Sequence, residues 1–544
     1  MKKRKSLNLA LFIAILGMPL IANTSYAAEV DLKGAKTDTV ELVSGNTYIA
    51  TDDISISFTD TATIGKAGLV VSGNSLAVDL SNIDTIINCS LKGQTTAQNY
   101  AAGVKITGNT NTLNLKGVIT ASGSNTYGIY IANTSNNNVT FTGNINATES
   151  AGGVMVRGTN NEVTINGSID SVVNGITVYG TSKVTHNGDI TSALYGAHIY
   201  NDSNLVINGD ILMTGSSVAG VKTNDTSNAT ITGNITTTNT AGHGIVAYGS
   251  STINMTGNIT TSARGADGIV SSGTNKVTFS GNISTAGTDA EAINITGGEV
   301  IMNNGTISAA NAYQMYFYGG TIELNNVNTD TATSGSKLMH TKNEGILKAT
   351  NSNLVGDILH DGGLTQYDPS KYGDTLTVNL MESTLTGSAY AETDNFAKID
   401  VDLDKSIWNV TGNSITDGTL NVGTNSVVNM TADDRTNPLS TLSVENLEGI
   451  GTFIMDIDAS QTNKSDKIIV ADKFTGTHKI TLQEISGNYV GQEAVGTVLA
   501  SVKNNDGEFV ADDYEGSLYW ERYTLDKEVN SSTSYTDWYL DGVN

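Results

Sequence analysis

The histidine of the G-H-G element at residues 242–244 is the first residue of this sequence that could do chemistry. An imidazole between two glycines is accessible, and cleavage of a glycosidic bond would require two carboxyl groups close to it. The Asp-Asp doublets at residues 52–53, 433–434 and 512–513 are far from His243 in the sequence, and no R-I-K run is present. His243 is therefore interpreted as an outward turn residue, and no catalytic residue is assigned.

The other residues with reactive or ligating side chains form no recognisable site either. His186 occupies a position that is apolar in other repeats, which is typical of a buried, hydrogen-bonded histidine. The remaining histidines, at 198, 340, 360 and 478, do not have the spacing of metal ligands. The single cysteine, Cys89, has no partner for an internal disulfide and is expected to be buried. The sequence predicts no metal site, no cofactor and no enzymatic activity.

His186, His198 and His243 belong to a repeat that is plain between residues 103 and 291. The first marker is a glycine followed by an apolar–polar–apolar run, and successive first markers are 21 to 25 residues apart. They begin at Gly103, Gly128, Gly153, Gly175, Gly196, Gly220, Gly244 and Gly268. The second marker alternates apolar and polar residues and ends in G-x-I, as at Val139–Ile145 and Val163–Ile169.

Two alternating runs in each repeat predict short β-strands with one buried face. A unit this short cannot bury its inner face alone, but it can do so by stacking on its neighbours. The sequence therefore predicts an all-β fold, a right-handed single-stranded parallel β-helix (β-solenoid) with 21–25-residue coils. Its hand is taken from the general preference for right-handed crossovers.

The alternation also predicts which side chains point into the coil. One inward column should contain Ile129, Ile131, Ile176, Val178, Ile245 and Ala247. A second should contain Phe141, Ile165 and Phe279, with His186 at the equivalent position.

The first 27 residues have the pattern of a secretory signal peptide. A basic start at residues 2–5 precedes an apolar stretch at 7–22, and Ser25 and Ala27 supply small residues before the cleavage point. The predicted organisation is a signal peptide at 1–27, an N-terminal cap with the first coils at 28–102, regular repeats at 103–330, less regular coils at 331–440 and a C-terminal module at 441–544.

Motifs in the last third resemble those of pertactin-like autotransporter (type V secretion) passengers. They are SIWNVTG at 406–412, LEGIGTFIMDID at 447–458, SDKIIV at 465–470, YWERYTL at 519–525 and WYL at 538–540. The resemblance implies that residues 441–544 are an autochaperone-like module that seeds folding. It also implies an outer-membrane translocator barrel as a partner, which we expect to be absent from this chain, and display on or release from a Gram-negative cell.

Charge and composition narrow the expected function. The net charge of −25 disfavours nucleic acid as a partner. The prediction is a surface-exposed or secreted, non-catalytic passenger that acts as an adhesin or interaction stalk toward a host or bacterial surface protein or glycan. One alternative is a carbohydrate-active, pectinase-like enzyme, since polygalacturonases also carry a G-H-G element, and the other is a passive spacer. A carboxylate pair in one groove would favour the enzyme, whereas a uniform polar surface would favour the spacer.

Overall fold

A computed structural model describes the chain over most of its length. The described residues are 28–94, 100–215, 219–238, 242–329, 337–362, 374–392, 396–431, 439–485, 492–511, 514–515, 520–521 and 523–543. The predicted signal peptide at 1–27 lies outside them. Their structure consists of 51 β-strands and one 3₁₀ turn at Gln492–Ala494. None of the described residues forms a helix long and apolar enough to cross a membrane.

The strands follow one another at short intervals along the whole chain. Those before residue 150 are Ala28–Asp31, Gly34–Lys36, Val40–Leu42, Asn46–Ile49, Ile54–Ile64, Ala67–Val71, Ala77–Lys92, Ala101–Ile106, Thr112–Ser122, Thr126–Ser135 and Asn138–Thr148. Those up to residue 329 are Ala151–Asn166, Ile169–Ser171, Asn174–Asn187, Ile190–Ser192, Tyr195–Ile199, Asn204–Asn208, Ile211–Met213, Ala219–Thr223, Asn228–Thr232, Ile235–Thr237, His243–Gly249, Thr252–Thr256, Ile259–Thr261, Ile269–Gly273, Lys276–Ser280, Ile283–Thr288, Ile293–Asn311 and Met315–Thr329. Those up to residue 429 are Lys337–Thr341, Gly345–Thr350, Asn353–Val355, Asp357–His360, Thr375–Met381, Thr384–Thr386, Ala389–Ala391, Lys398–Asp404, Ile407–Asn409, Ser414–Ile415, Asp417–Val422 and Val427–Asn429. The last are Thr441–Gly449, Thr452–Ile457, Lys467–Phe474, Thr477–Glu484, Val498–Asn505, Glu508–Ala511, Tyr514–Glu515, Trp520–Glu521, Tyr523–Val529 and Thr536–Val543.

These strands wind into a parallel β-solenoid of about 17 turns with roughly 24 residues per coil. Each regular coil contributes one strand to each of three parallel sheets, and its strands pair with those of the coils before and after it. The first sheet contains the coil glycines, and the second and third contain the two halves of the Φ-x-Φ-x-G-x-I marker. The predicted parallel solenoid is confirmed, while its hand stays a prediction.

The interior is a set of stacked apolar columns, one on each side of the three-sided coil. In the second sheet Phe141 pairs with Ile165, which pairs with His186. The column in the third sheet is almost entirely isoleucine, running through Ile119, Ile145, Ile169, Ile190, Ile211, Ile235, Ile259, Ile283 and Ile307. Every residue predicted to point inward is buried, which confirms the alternation.

The two sequence markers are coupled by a steric contact inside each coil. The coil glycine of the first sheet faces the isoleucine that ends the second marker of the same coil. At Gly175 a β-carbon would lie 2.5 Å from Cγ2 of Ile190 and 2.5 Å from the carbonyl oxygen of Gly196. Gly103 faces Ile119 and Gly268 faces Ile283 in the same way. A side chain at this point would push the first and third sheets apart.

Polar ladders support the corner between the first and second sheets from inside. The backbone N–H of Asn111 donates to Asn137 Oδ1 at 2.9 Å, and that of Asn137 donates to Asn161 Oδ1 at 3.1 Å. Serines take over this role further on. The N–H of Ser352 donates to Ser383 Oγ at 3.0 Å, and that of Ser383 donates to Ser406 Oγ at 3.0 Å. The next coil thereby supplies the hydrogen-bond acceptor for each of these backbone N–H groups at the corner.

Coil length departs from the predicted 21–25 residues outside the regular repeats. Leu69 pairs with Val104, 35 residues later, and Ile358 pairs with Ala389, 31 residues later. Part of the first difference is a register shift between Leu80 and Thr85 within the strand Ala77–Lys92. The predicted boundaries at 102, 330 and 440 stay predictions.

An antiparallel hairpin closes the C-terminal end of the solenoid. Thr536–Val543 pairs antiparallel with Val498–Asn505 and with Tyr523–Val529. Beneath it Phe474 stacks on Phe509 at 4.5 Å between ring centroids, and Phe509 meets the Trp538 ring at 5.6 Å. The hairpin covers apolar area and occupies an edge that would otherwise be open to another strand.

Replacement of Gly175 by alanine should destabilise the solenoid by about 1–3 kcal/mol, because the new methyl group overlaps both Ile190 and the Gly196 backbone. The measurement is the free energy of unfolding from urea titration. Gly412→Ala is the control, since its β-carbon would have Ser388 Oγ at 3.2 Å as the nearest heavy atom. Equal midpoints for the two variants would contradict the steric account.

Candidate binding face

The outer surface of the first sheet differs from the other two outer surfaces of the regular coils. Between residues 138 and 285 the second and third sheets present mainly Thr, Asn and Ser outward. The first sheet presents tyrosines, histidines and a few charged side chains. One outward column, read from register partners, is Lys105, Tyr130, Met155, Thr177, His198, Lys222, Val246, Val270, Asn294, Tyr316, His340, Leu359 and Tyr390.

A second outward column stands just before the coil glycines, where the chain enters the first sheet. It includes Tyr127, Asn174, Tyr195, Ala219 and His243. Further outward side chains come from the strand ends and turns beside it, including Tyr179, Tyr200, Tyr248 and Tyr318. We call the outward surface of the first sheet between Tyr179 and Tyr390 the tyrosine face.

The start of these columns is covered and lies outside the tyrosine face. The Tyr130 side chain is fully buried, with the Tyr100 ring 5.4 Å from its own. Lys105 Nζ donates to the carbonyl oxygens of Gly65 at 2.9 Å and Tyr100 at 3.1 Å, and burial lowers its pKa. This covered cluster is structural, because its rings are not accessible to a partner.

The accessible part begins with a group of tyrosines around one histidine. Tyr179 stacks on Tyr200 at 4.3 Å between ring centroids. His198 Nδ1 lies 2.9 Å from Tyr200 Oη, and its Nε2 lies 2.9 Å from Asn224 Nδ2. Burial, followed by the nearby charge of Lys222, lowers the pKa of His198 to about 3. The ring is therefore neutral and holds Tyr200 by a hydrogen bond.

Lys222 links two rings of the tyrosine face, the half-buried Tyr195 and the exposed Tyr248. Its Nζ lies 5.5 Å from the centroid of the Tyr195 ring and 5.3 Å from that of the Tyr248 ring. Such cation–π contacts hold the ring planes in place beside the sheet. Tyr248 remains 39% exposed, so the fixed ring is available to a partner.

The centre of the tyrosine face is a histidine–carboxyl ladder over three successive coils. His243, Asp267 and Glu291 each follow the one before by 24 residues. The backbone N–H of Asp267 donates to His243 Nδ1 at 3.1 Å. The N–H of Glu291 donates to Asp267 Oδ1 at 3.0 Å, and Asn294 Nδ2 donates to Asp267 Oδ2 at 3.0 Å.

Burial leaves this ladder mostly uncharged. Burial, and then the charge of Glu291 and a hydrogen bond with its carboxyl group, raises the pKa of Asp267 to about 8. Burial also lowers the pKa of His243. Although His243 Nδ1 lies 3.7 Å from Asp267 Oδ2, both groups are neutral near pH 7, so the contact is not an ion pair.

The far end of the tyrosine face groups aromatic rings around a second histidine. His340 Nε2 lies 2.7 Å from Asp361 Oδ2. The rings of Tyr313 and Tyr316 lie 4.9 and 5.3 Å from the His340 ring. Tyr318, 47% exposed, extends this group toward solvent.

The structure both confirms and corrects the reading of His243. It lies on the outer surface in a turn-entry position, as predicted. The acids beside it, Asp267 and Glu291, belong to none of the Asp-Asp doublets of the sequence, because stacking brings together residues that are 24 positions apart. Of the doublets, Asp53 accepts a hydrogen bond from the N–H of Asp84 at 3.0 Å. Residues 433–434 and 512–513 lie outside the described residues.

The remaining candidate residues point into the solenoid. His186 is fully buried in the second-sheet column, as predicted, but neither ring nitrogen has a hydrogen-bond partner of good geometry. The backbone groups of Gly188 and Asp189 still lie close enough to the ring to raise its pKa against the larger effect of burial, so the expected polar contacts of this core histidine are met only in part. Cys89 is buried, and this burial raises the pKa of its thiol to about 11. No group of three or more His, Cys, Asp or Glu within the described ranges could hold a metal ion.

Comparison with known proteins identifies the C-terminal part of this solenoid. Residues 417–541 match the family model described as Pertactin. A 161-residue stretch, 28% of this chain, is 32% identical to an Escherichia coli K12 protein named "Probable autotransporter YcgV" and spans 15% of that protein. A 105-residue stretch, 19% of this chain, is 35% identical to the YcgV protein of E. coli O157:H7 and spans 17% of it.

Two solved structures align along most of the chain at low similarity. The Haemophilus influenzae Hap adhesin covers 93% of this chain and 64% of its own, at 11% identity and a TM-score of 0.33. The autotransporter UpaB of E. coli strain CFT073 covers 94% of this chain and 100% of its own, at 17% identity and a TM-score of 0.23. The family model and the curated relatives confirm the resemblance to pertactin-like autotransporter passengers, and the match to the Pertactin model lies at residues 417–541.

Replacement of His186 by isoleucine, the residue found at this position in neighbouring coils, should stabilise the chain. It removes buried ring nitrogens that lack partners, which is worth about 1–3 kcal/mol. Burial lowers the pKa of His186 from its usual 6.5 to about 4, so the wild type loses stability as pH falls through this interval and the variant does not.

Urea titration at pH 7 and pH 5 measures this difference. Phe279→Ile, at the same column position, is the control, because it removes volume but no titratable group. An advantage of His186→Ile that shrinks between pH 7 and pH 5 would contradict the assignment.

Replacement of Asp267 by asparagine should stabilise the chain increasingly as pH rises from about 4 to about 8. The wild-type carboxyl group must ionise in the unfolded chain but stays protonated in the folded one, so its folding loses free energy over this interval. We expect an advantage of at least about 1.4 kcal/mol at pH 8, the value of one pKa unit.

The measurement is the urea midpoint at pH 5 and pH 8. Asp289→Asn is the control, since this aspartate is exposed and pairs only at the surface with Arg264. A pH-independent effect of Asp267→Asn would show that the carboxyl group is charged in the folded chain.

Proposed function

We propose that this chain is an adhesin-type passenger that contacts another surface through the tyrosine face. The observation that supports this function is the concentration of fixed, partly exposed tyrosines on one of three otherwise polar sides. Tyrosine combines a large rigid contact area with a hydroxyl group and is enriched among the residues that dominate binding energy. Cation–π and stacking contacts already order Tyr195, Tyr200 and Tyr248, which lowers the entropy lost when these rings bind.

The tyrosine face weighs against a passive spacer. A spacer needs only the stacked interior and polar outer surfaces, and the second and third sheets have that character in the regular coils. Tyr248, Tyr318 and Tyr390 are 39%, 47% and 40% exposed, and they recur along the same side of the rod. Aligned aromatic side chains at the surface are a feature of interaction sites.

Asp267 and Glu291 are the pair that would favour a carbohydrate-active enzyme, but their arrangement does not suit that chemistry. Glycosidases hold their carboxyl groups about 5–5.5 Å or about 6.5–9.5 Å apart, with the scissile bond between them. Here hydrogen bonding with the carboxyl group of Glu291 contributes to the raised pKa of Asp267. Two carboxyl groups in direct contact leave no room for a sugar linkage between them, and we infer that the chain is not catalytic.

The passenger class supports a location outside the cytoplasm. We infer that residues 1–27 direct export, that the mature chain reaches the surface of a Gram-negative cell or its surroundings, and that a translocator barrel is its route. The partner on the contacted surface would be a protein or a glycan of a host or bacterial cell.

Adhesion of beads coated with the purified full-length chain tests this proposal. We expect binding to epithelial monolayers or to bacterial cells, and a loss of at least about tenfold when Tyr248, Tyr318 and Tyr390 are all changed to serine. The control combines Ile346→Ser and Ile407→Ser, which are 38% and 40% exposed on the second and third sheets. Absence of binding by the unaltered chain, or equal losses in both variants, would contradict the proposal.

A further inference from the structure

We propose that the tyrosine face binds a neutral polysaccharide laid along the axis of the solenoid. This inference rests on the proposed adhesive function and names the chemical class of its partner. It is carried by three features of the face, namely its ring platforms, its uncharged hydrogen-bonding groups and its lack of an exposed aliphatic centre.

The rings offer flat platforms that are fixed before a partner arrives. Lys222 holds Tyr195 and Tyr248 at 5.5 and 5.3 Å from its Nζ, on either side of its own coil. The C–H face of a pyranose ring is apolar and flat, so it can pack on an aromatic ring while its hydroxyl groups point sideways. Partly exposed tyrosines whose planes are set by neighbours suit that contact.

The polar groups that a partner can reach on this face lie around the rings. His198 and Asp267 are buried and already hydrogen-bonded, so they order the face and do not contact a partner. The tyrosine hydroxyl groups and the His243 side chain, which is 27% exposed, remain for a partner. Hydroxyl and neutral imidazole groups both donate and accept hydrogen bonds, as sugar hydroxyl groups do.

The same face is less suited to a protein partner or to an acidic polymer. Of the aliphatic residues in the outward column, Val246 is only 5% exposed and Val270 and Leu359 are half-buried, whereas the core of a protein interface needs apolar area to bury. The net charge of −25 repels acidic chains such as heparin at long range.

The solenoid also matches a polymer in its geometry. Equivalent side-chain positions recur with each coil at a rise of about 4.8 Å. A linear glycan parallel to the axis would meet such positions repeatedly, so weak contacts at single sugars would add up along the chain.

A glycan array probed with the fluorescently labelled full-length chain tests this inference. The array carries neutral glucans (dextran and cellulose oligosaccharides) and galactomannan, the cationic polymer chitosan, and acidic heparin and polygalacturonate. We expect retention on neutral glycans, reduced at least about tenfold by Tyr248→Ser with Tyr318→Ser and unchanged by Ile346→Ser with Ile407→Ser. Retention on none of the probes, on charged probes alone, or with no dependence on the tyrosines would overturn the inference.

Periodate oxidation of the target cells separates this inference from the proposed function. Periodate cleaves vicinal diols of surface sugars, so it should abolish bead adhesion, whereas protease treatment should leave it intact. Adhesion that survives periodate and is lost with protease would overturn the glycan assignment while the adhesive function stands. No adhesion before either treatment would overturn both.

Discussion

The contact between a coil glycine and the isoleucine of the same coil sets the cross-section of the solenoid. Because Gly175 has no β-carbon, Ile190 can fill the space beside the first sheet and the backbone can approach the next coil at Gly196. This glycine–isoleucine contact recurs from coil to coil, so neighbouring coils have the same shape and stack in register. The parallel sheets, the isoleucine column and the corner ladders all require that register.

A constant interior frees the outer positions to vary. The residue before each coil glycine points outward, so it can be Tyr195, Ala219, His243 or Asp267 without changing the stack. Stacking then brings together residues that are 24 positions apart in the chain. The histidine–carboxyl ladder is therefore a product of coil length, and an insertion in one coil would separate its members.

Burial determines the charge of the tyrosine face more than composition does. The chain carries a net charge of −25, yet three ionisable groups of this face are uncharged near pH 7. Burial removes water from His198, His243 and Asp267, and each then adopts its uncharged form. An acidic rod thus presents one side on which hydroxyl, amide and aromatic groups surround a few charged ones such as Lys222.

The sequence alone determined the solenoid, because the spacing of Gly103, Gly128 and Gly153 and the alternation of the strands express the same periodicity as the stacked interior. It also predicted the inward column of Phe141, Ile165 and His186, since a period of two leaves only one face for apolar residues. The motifs at 447–458 and 465–470 pointed to the module that the Pertactin match later covered.

Only the tertiary structure decided which outward residues meet. Tyr195, Lys222 and Tyr248 lie on three consecutive coils, and no local pattern links them in the sequence. Asp267 and Glu291 were missed for the same reason, although the slot before each coil glycine was visible. The protonation of Asp267 and the missing hydrogen bonds of His186 depend on which groups cover these side chains. The neighbouring coils supply that cover, because a residue in a solenoid has its nearest contacts one full turn away.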